Sequence, residues 1–203
     1  MTINQKQHWE KVYETKTPAE VSWTQEIPKT SLEFISSLKV SKDAKIIDIG
    51  GGDSKLVDYL LAAGYINISI LDISKEALER AKRRLGENAV KVEWIVSDIN
   101  DFTPTETYDI WHDRAAFHFL TSPEQIERYI GLANKYISRN LIIGTFSKKG
   151  PLKCSGLNIT QYNEEGLLSK FNTFEKIKCI AEDHTTPFNT KQNFTFCSFK
   201  KKS

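Results

Sequence analysis

The chain has 203 residues, 39% of them hydrophobic, which is enough for one domain with a substantial core. Its 28 Lys and Arg nearly cancel 26 Asp and Glu, so a net charge of +2 argues against a nucleic-acid or membrane surface. Cys154, Cys179 and Cys197 are widely spaced with no C-x-x-C, which implies neither a zinc knuckle nor a disulfide framework and fits a reduced, cytoplasmic setting.

The start, Met1 to His8, has no apolar leader, and no run of 18 apolar residues follows. Residues 5–13 predict a short helix with Trp9, Val12 and Tyr13 on one face. Pro18 interrupts it, Glu20-Val-Ser-Trp23 follows, and a second helix is expected over 30–38. The aromatics Trp9, Tyr13 and Trp23 are either a core cluster or a lid over a ligand.

Next comes Lys45-Ile-Ile-Asp-Ile-Gly-Gly-Gly-Asp-Ser-Lys-Leu56, a buried strand (45–49) running through three glycines into a helix expected from Asp53 or Ser54 to Ala63. Glycines at such a turn allow positive φ and let a ligand lie against the backbone. The helix start that follows offers free N–H groups. Strand two (66–71) ends in Asp72, and Ser74 caps a helix that Gly86 closes. Strands follow at 90–96, ending in Ser97-Asp98-Ile99, and at 108–111. Ser122-Pro123 opens a helix to Tyr136, and 140–146 is the fifth strand. A short helix at 164–171 and an antiparallel pair at 174–182 and 193–200 complete the chain. Lys200 to Lys202 reads as a solvated tail.

Strand–helix alternation predicts a sheet with helices on both faces. A glycine turn after one strand and an acid ending the next is how such a sheet grips a ribose. The turn lacks the Walker pattern Gly-x-x-x-x-Gly-Lys-Ser/Thr. It also lacks the third glycine of a dinucleotide turn, since Lys55 stands there, and Asp53 at the expected N-cap would repel a pyrophosphate. It does match Asp48-x-Gly50-x-Gly52-x-Ser54, with serine in the last glycine place of the S-adenosylmethionine (SAM) turn. SAM carries an ammonium and a sulfonium, so neighbouring carboxylates attract it.

On these residues, with Asp98-Ile99 and the final hairpin, the chain resembles the class I SAM-dependent methyltransferases. The resemblance implies an α/β, Rossmann-like fold: a seven-stranded, mostly parallel sheet of order 3-2-1-4-5-7-6, the seventh strand antiparallel, with helices on both faces. It implies one domain over 1–203, divided into an N-terminal helical lid (1–40), a SAM-binding core (45–146) and a substrate-side loop with closing hairpin (147–203). His8-Trp-Glu-Lys-Val-Tyr13 and Ser22-Trp23 are similar to the opening of the subgroup containing elongation-factor lysine methyltransferases, where the matching aromatics contact SAM.

The implied cofactor is SAM, leaving as S-adenosylhomocysteine (SAH). Gly50, Gly51 and Gly52 would lie against its methionine part and Asp48 would hold its ammonium. Asp72 would accept both ribose hydroxyls. Asp98 and the Ile99 N–H would meet the adenine edge, and Ile73 its face. Trp9, Tyr13 and Trp23 would close over it. Strand four runs into Trp111-His-Asp-Arg-Ala-Ala-Phe-His-Phe119, which topology places above the strand ends. His112, Asp113 and His118 are the candidates for a proton-removing base, with Asp113 also beside the cofactor. The alternative is an Asp113–Arg114 ion pair and a packed His118. A metal site from these three would draw on one segment without a metal motif, so none is expected. The 148–157 segment should cover the site, with Cys154 either touching substrate or inert, and His184 approaching from the hairpin. A small-molecule acceptor is the first expectation, a protein lysine the second, and a non-catalytic SAM- or nucleoside-binding module the third.

Overall fold

The computed structural model describes residues 4–202; Met1 to Ile3 and Ser203, the outermost residues of the expected domain, lie outside them. Five parallel strands form one side of the main sheet: β1 (Lys45–Ile49), β2 (Asn67–Asp72), β3 (Val92–Val96), β4 (Tyr108–Arg114) and β5 (Ile137–Phe146). Two two-residue strands, β6 (Lys153–Cys154) and β7 (Leu157–Asn158), form a separate small hairpin. The long antiparallel pair β8 (Phe174–Thr185) and β9 (Lys191–Lys201) completes the main sheet, whose order is β3-β2-β1-β4-β5-β9-β8. With the small hairpin left out of the count, this is the expected order.

The described residues contain six α-helices: α1 (Gln5–Thr15), α2 (Lys29–Ser37), α3 (Leu56–Ala62), α4 (Lys75–Leu85), α5 (Pro123–Tyr136) and α6 (Glu164–Lys170). Because side chains of a strand alternate between faces, the buried strands feed two separate cores. On one face Phe34 of α2, Leu56, Val57 and Leu60 of α3 and Leu78 of α4 pack with Ile46, Ile68 and Ile110. On the other, Tyr129 and Ala133 of α5 and Leu167 of α6 pack with Ile47, Trp111 and Leu141. Residues 5–21 enter neither of these cores, although Val12, Tyr13 and Val21 are buried.

The local signals explain most boundaries. Ser74 accepts a hydrogen bond from the Ala77 N–H at the start of α4, and Ser122 with Gln125 forms a capping box at the start of α5. The helix after the glycine turn begins later than expected, at Leu56, so Asp53 is not its N-cap. Asp53 instead lies 3.7 Å from Arg80 of α4. Strand β4 runs three residues past Trp111, because β1 pairs with it as far as Asp113 and β5 as far as Arg114. Ser155 and Gly156, both at positive φ, turn the small β6–β7 hairpin. Lys201 is no solvated tail residue: it lies in β9 and its ammonium donates to the Asn134 and Ile137 carbonyls at 2.9 and 2.7 Å.

The cysteine reading is also corrected. Cys179 and Cys197 stand opposite each other in the β8–β9 register and are joined by a disulfide. Linear spacing carried no sign of it, because the pairing is made across a hairpin. Among the described residues no helix is long and apolar enough to cross a membrane.

Candidate active site

The carboxyl ends of β1, β2, β3 and β4 open into one crevice with about 230 Å³ of free space. The glycine turn forms its floor. Gly50 and Gly52 hold φ of 65° and 49°, a region that side chains rarely adopt. A Cβ on Gly50 would also lie 2.7 Å from the Ala116 methyl, and one on Gly51 would lie 2.7 Å from Asp48 Oδ2. The Gly50 N–H donates to the Leu71 carbonyl at 2.7 Å, which ties the turn to the end of β2.

Around that floor stand four carboxylates, Asp48, Asp53, Asp72 and Asp98. Asp72 is buried, and one oxygen accepts the Ser74 N–H at 2.8 Å. Burial first, and then the charges of Asp53 and Asp48, push its pKa up to about 7 against the pull of the Ser74 N–H. Asp98 binds the Asn100 backbone and side-chain amides through a single oxygen, Oδ1, at 2.8 and 3.0 Å. Ile73 and Ile99 line the same wall.

Asp48 and His112 are neighbours across the β1–β4 register, and their side chains meet at 2.7 Å through His112 Nδ1. The other ring nitrogen, Nε2, meets Ser31 Oγ of α2 at 2.8 Å. Both imidazole nitrogens are therefore engaged within the protein. His112 borders the crevice as a brace between α2 and Asp48, and has no free nitrogen for a substrate proton.

Strand alternation separates the rest of this segment. His112 and Arg114 face the crevice, whereas Asp113 faces the opposite core and does not line the crevice. Its carboxylate accepts the Tyr129 hydroxyl at 2.7 Å and the Ala116 and Phe117 N–H groups at 2.9 and 3.1 Å. No Asp113–Arg114 ion pair forms. Burial raises the Asp113 pKa to about 6, opposed by these donors. His118 is likewise buried outside the crevice, between the rings of Phe119 and Phe146, with Nδ1 accepting the Phe146 N–H at 3.2 Å. Burial, with Arg114 nearby, depresses its pKa to about 3. The candidacies of Asp113 and His118 as bases thus fail on geometry, because the strand continued where a loop was expected. Asp113→Ala should cost about 3 kcal/mol or more of stability, since it orphans a buried hydroxyl and two N–H groups. Chemical denaturation checks this; an unchanged midpoint would return Asp113 to the list of reactive groups.

The N-terminal segment forms the roof. Trp9, Tyr13, Trp23 and Phe119 make an edge-to-face cluster; the Trp9–Phe119 centroids are 5.1 Å apart and the Trp9–Trp23 centroids 5.6 Å. Tyr13 Oη sits where a Cβ on Gly52 would be only 2.8 Å away, beside Asp72 Oδ2. Gly52 is thereby covered by Tyr13 rather than open to the crevice. Glu10, which sequence reasoning missed, fastens this roof. Its carboxylate accepts Ser74 Oγ, the Lys75 N–H and the Glu76 N–H at 2.8, 2.8 and 3.0 Å. A carboxylate at a helix N-terminus is stabilised by the free donors and the dipole there. Arg80 of α4 adds bonds to the Tyr13 and Lys16 carbonyls. At the far end, His184 Nε2 donates to the Ser22 carbonyl at 2.7 Å, and Arg114 Nη1 to the Trp23 carbonyl at 3.1 Å. Cys154 of β6 lines the same end, and burial pushes its thiol up to about 12, so it stays protonated at neutral pH.

Residues 46–137, from β1 into the start of β5, match the family model described as Methyltransferase domain. Among solved structures, a SAM-dependent methyltransferase from Anabaena variabilis is similar with a TM-score of 0.75 at 15% identity, covering 98% of this chain and 96% of that one. The chain carries the fold of the class I SAM-dependent methyltransferases. The N-methyltransferase NodS from Bradyrhizobium japonicum, solved with SAH, resembles this chain with a TM-score of 0.72 at 14% identity, covering 98% and 100% of the two chains. A curated relative, EEF1A lysine methyltransferase 2 of Danio rerio, is 25% identical over 136 residues, 62% of this chain. The chain spans 58% of that relative's length.

Proposed function

We propose that the chain transfers a methyl group from SAM to a small-molecule acceptor. The observation that carries this reading is the acid-lined glycine turn: Asp48, Asp53, Asp72 and Asp98 line one crevice with the left-handed Gly50 and its neighbour Gly51. Such a site repels phosphates and suits a ligand with an ammonium and a sulfonium. The donor and acceptor set fits SAM. Asp48, braced by His112, faces the turn where an ammonium would lie. Asp72 ends β2 with its carboxylate on the crevice, where it would accept ribose hydroxyls. The Ile99 side chain and Asp98 border the place for a nucleobase edge. When bound, SAM supplies an activated methyl group on its sulfonium. The protein's part is to hold the acceptor in line with that methyl and to keep water away beneath the aromatic roof.

None of the expected bases is free in the crevice: His112 is doubly bonded, and Asp113, His118 and the protonated Cys154 are excluded by place or charge. The chemistry therefore rests on alignment, and suits an acceptor that is nucleophilic without protein-assisted deprotonation.

Isothermal titration should show SAH binding, with no measurable heat from NAD or ATP; preferential NAD binding would end the reading. A protein-lysine acceptor is the second reading, favoured by the similarity to EEF1A lysine methyltransferase 2. Against it, Trp23, Phe119 and Cys154 enclose the acceptor end of the crevice. Radiolabelled methyl transfer into a low-molecular-weight extract, compared with transfer into a protein extract, separates the two. Tight SAH binding with no label in either would make the chain a binding module.

A further inference from the structure

The crevice has a second electrostatic character at its far end. Arg114 projects there from the last residue of β4, among Trp23, Ala115, Phe119 and Cys154. Its guanidinium stacks on Phe194, 4.9 Å from the ring centroid. Of its five N–H donors, one is used, by Nη1 on the Trp23 carbonyl. Among the described residues no carboxylate oxygen lies within ion-pair distance of it. Glu182 and Asp48 are the acids whose charge it feels, and both stay beyond that distance. Its closer polar neighbours are uncharged or cannot pair with it: the Cys154 thiol is protonated, and burial keeps His118 and His184 neutral.

A half-buried arginine without a carboxylate partner is costly, and is stable in a cleft chiefly when it meets an anion in use. Its planar fork matches a carboxylate in a two-bond geometry. A phosphate dianion would fit the fork, but Asp48, Asp53 and Asp72 along the same crevice would repel the extra charge. The contacts of Arg114 are to the roof, to β6 and to β9, not to the glycine turn, which sets it on the side where the acceptor enters.

We propose that the acceptor is a small carboxylic acid and that Arg114 grips its carboxylate at the Trp23–Phe119–Cys154 end of the crevice. This rests on the small-molecule methyltransferase reading.

The test uses the full chain with radiolabelled SAM and a low-molecular-weight extract split on an anion exchanger at neutral pH. Label should enter the retained fraction, survive phosphatase treatment of that fraction, and vanish once its carboxylates are amidated with carbodiimide and an amine. Arg114→Met should raise the half-saturating amount of that fraction about 10- to 100-fold, the share of a charge-assisted pair. Its SAH affinity should fall far less than its acceptor use, since only one roof bond, to the Trp23 carbonyl, is lost with it, and Arg114→Lys should fall between the two in acceptor use. Label confined to the unretained fraction, or label that survives amidation or disappears with phosphatase, overturns the proposal. So does an Arg114→Met protein that uses the acceptor normally, or one that loses SAH affinity in parallel, since the guanidinium then serves the cofactor's own carboxylate. SAH binding without label in any fraction is the failure of the small-molecule reading itself, and this proposal falls with it.

Discussion

Asp72→Ala should weaken SAH binding by about 2–4 kcal/mol, roughly 30- to 1000-fold, as read by isothermal titration. The estimate takes the two charge-assisted hydrogen bonds proposed from the ribose hydroxyls at about 1.5–3 kcal/mol each, with incomplete additivity. The environment of Asp72 adds a pH signature. Burial, then Asp53 and Asp48, hold its pKa at about 7 in the free protein. Only the ionised form accepts two hydroxyls, so affinity should climb as pH rises through about 7 and level off above it. The stability effect has the opposite sign. A carboxyl whose folded pKa lies above its ordinary 3.8 is favoured protonated in the folded chain, so its contribution to stability is present at low pH and is lost as pH rises towards about 7. Asp72→Asn, which keeps an oxygen for the Ser74 N–H, should therefore melt no lower than the parent at pH 8 without ligand. An SAH affinity that ignores both the substitution and the pH would remove Asp72 from the site.

Loss of the roof should have an effect of comparable size. We infer that residues 5–25 are a lid: they close the crevice through Trp9, Tyr13 and Trp23, yet lie outside the two main cores of the sheet. The free space of about 230 Å³ is below the roughly 300–1,000 Å³ usual for ligand pockets, which fits aromatics that move apart to admit a nucleoside. A chain beginning at Lys29 should keep a cooperative melt and bind SAH at least about 100-fold more weakly, having lost every aromatic contact from the roof. Glu10→Ala is the milder version. It removes the carboxylate from the start of α4 and should loosen α1, seen as faster hydrogen exchange over residues 5–16, with a smaller loss of affinity. Two of the chain's four tryptophans lie in this segment, so its fluorescence should change with SAH. Were the aromatics simply core, the shortened chain would aggregate through the exposed apolar surface. A well-folded shortened chain with full SAH affinity would refute the lid.

The glycine-turn half of the crevice was legible in the sequence, because its signals are local. A strand running into glycines, an acid closing the next strand and an Asp-Ile pair closing the third are each written in a few consecutive residues. The backbone geometry of a parallel sheet then brings them to one edge. The helix caps at Ser74 and Ser122 are local in the same sense, and so is the strand–helix alternation that predicts the sheet.

What the tertiary structure decided is everything that depends on pairing between distant segments. Whether His112, Asp113 and Arg114 belong to a loop or a strand is settled by the neighbours β1 and β5, which extend β4 and so send Asp113 inward and Arg114 into the crevice. Ser31 reaches His112 across 81 positions, and Glu10 reaches the start of α4 across 64 to 66. Cys179 meets Cys197 only because β8 folds back on β9. Periodicity and composition report how each segment buries its own surface. The partner of a buried charge is chosen by the packing of the whole chain, and its identity is absent from the segment that carries the charge.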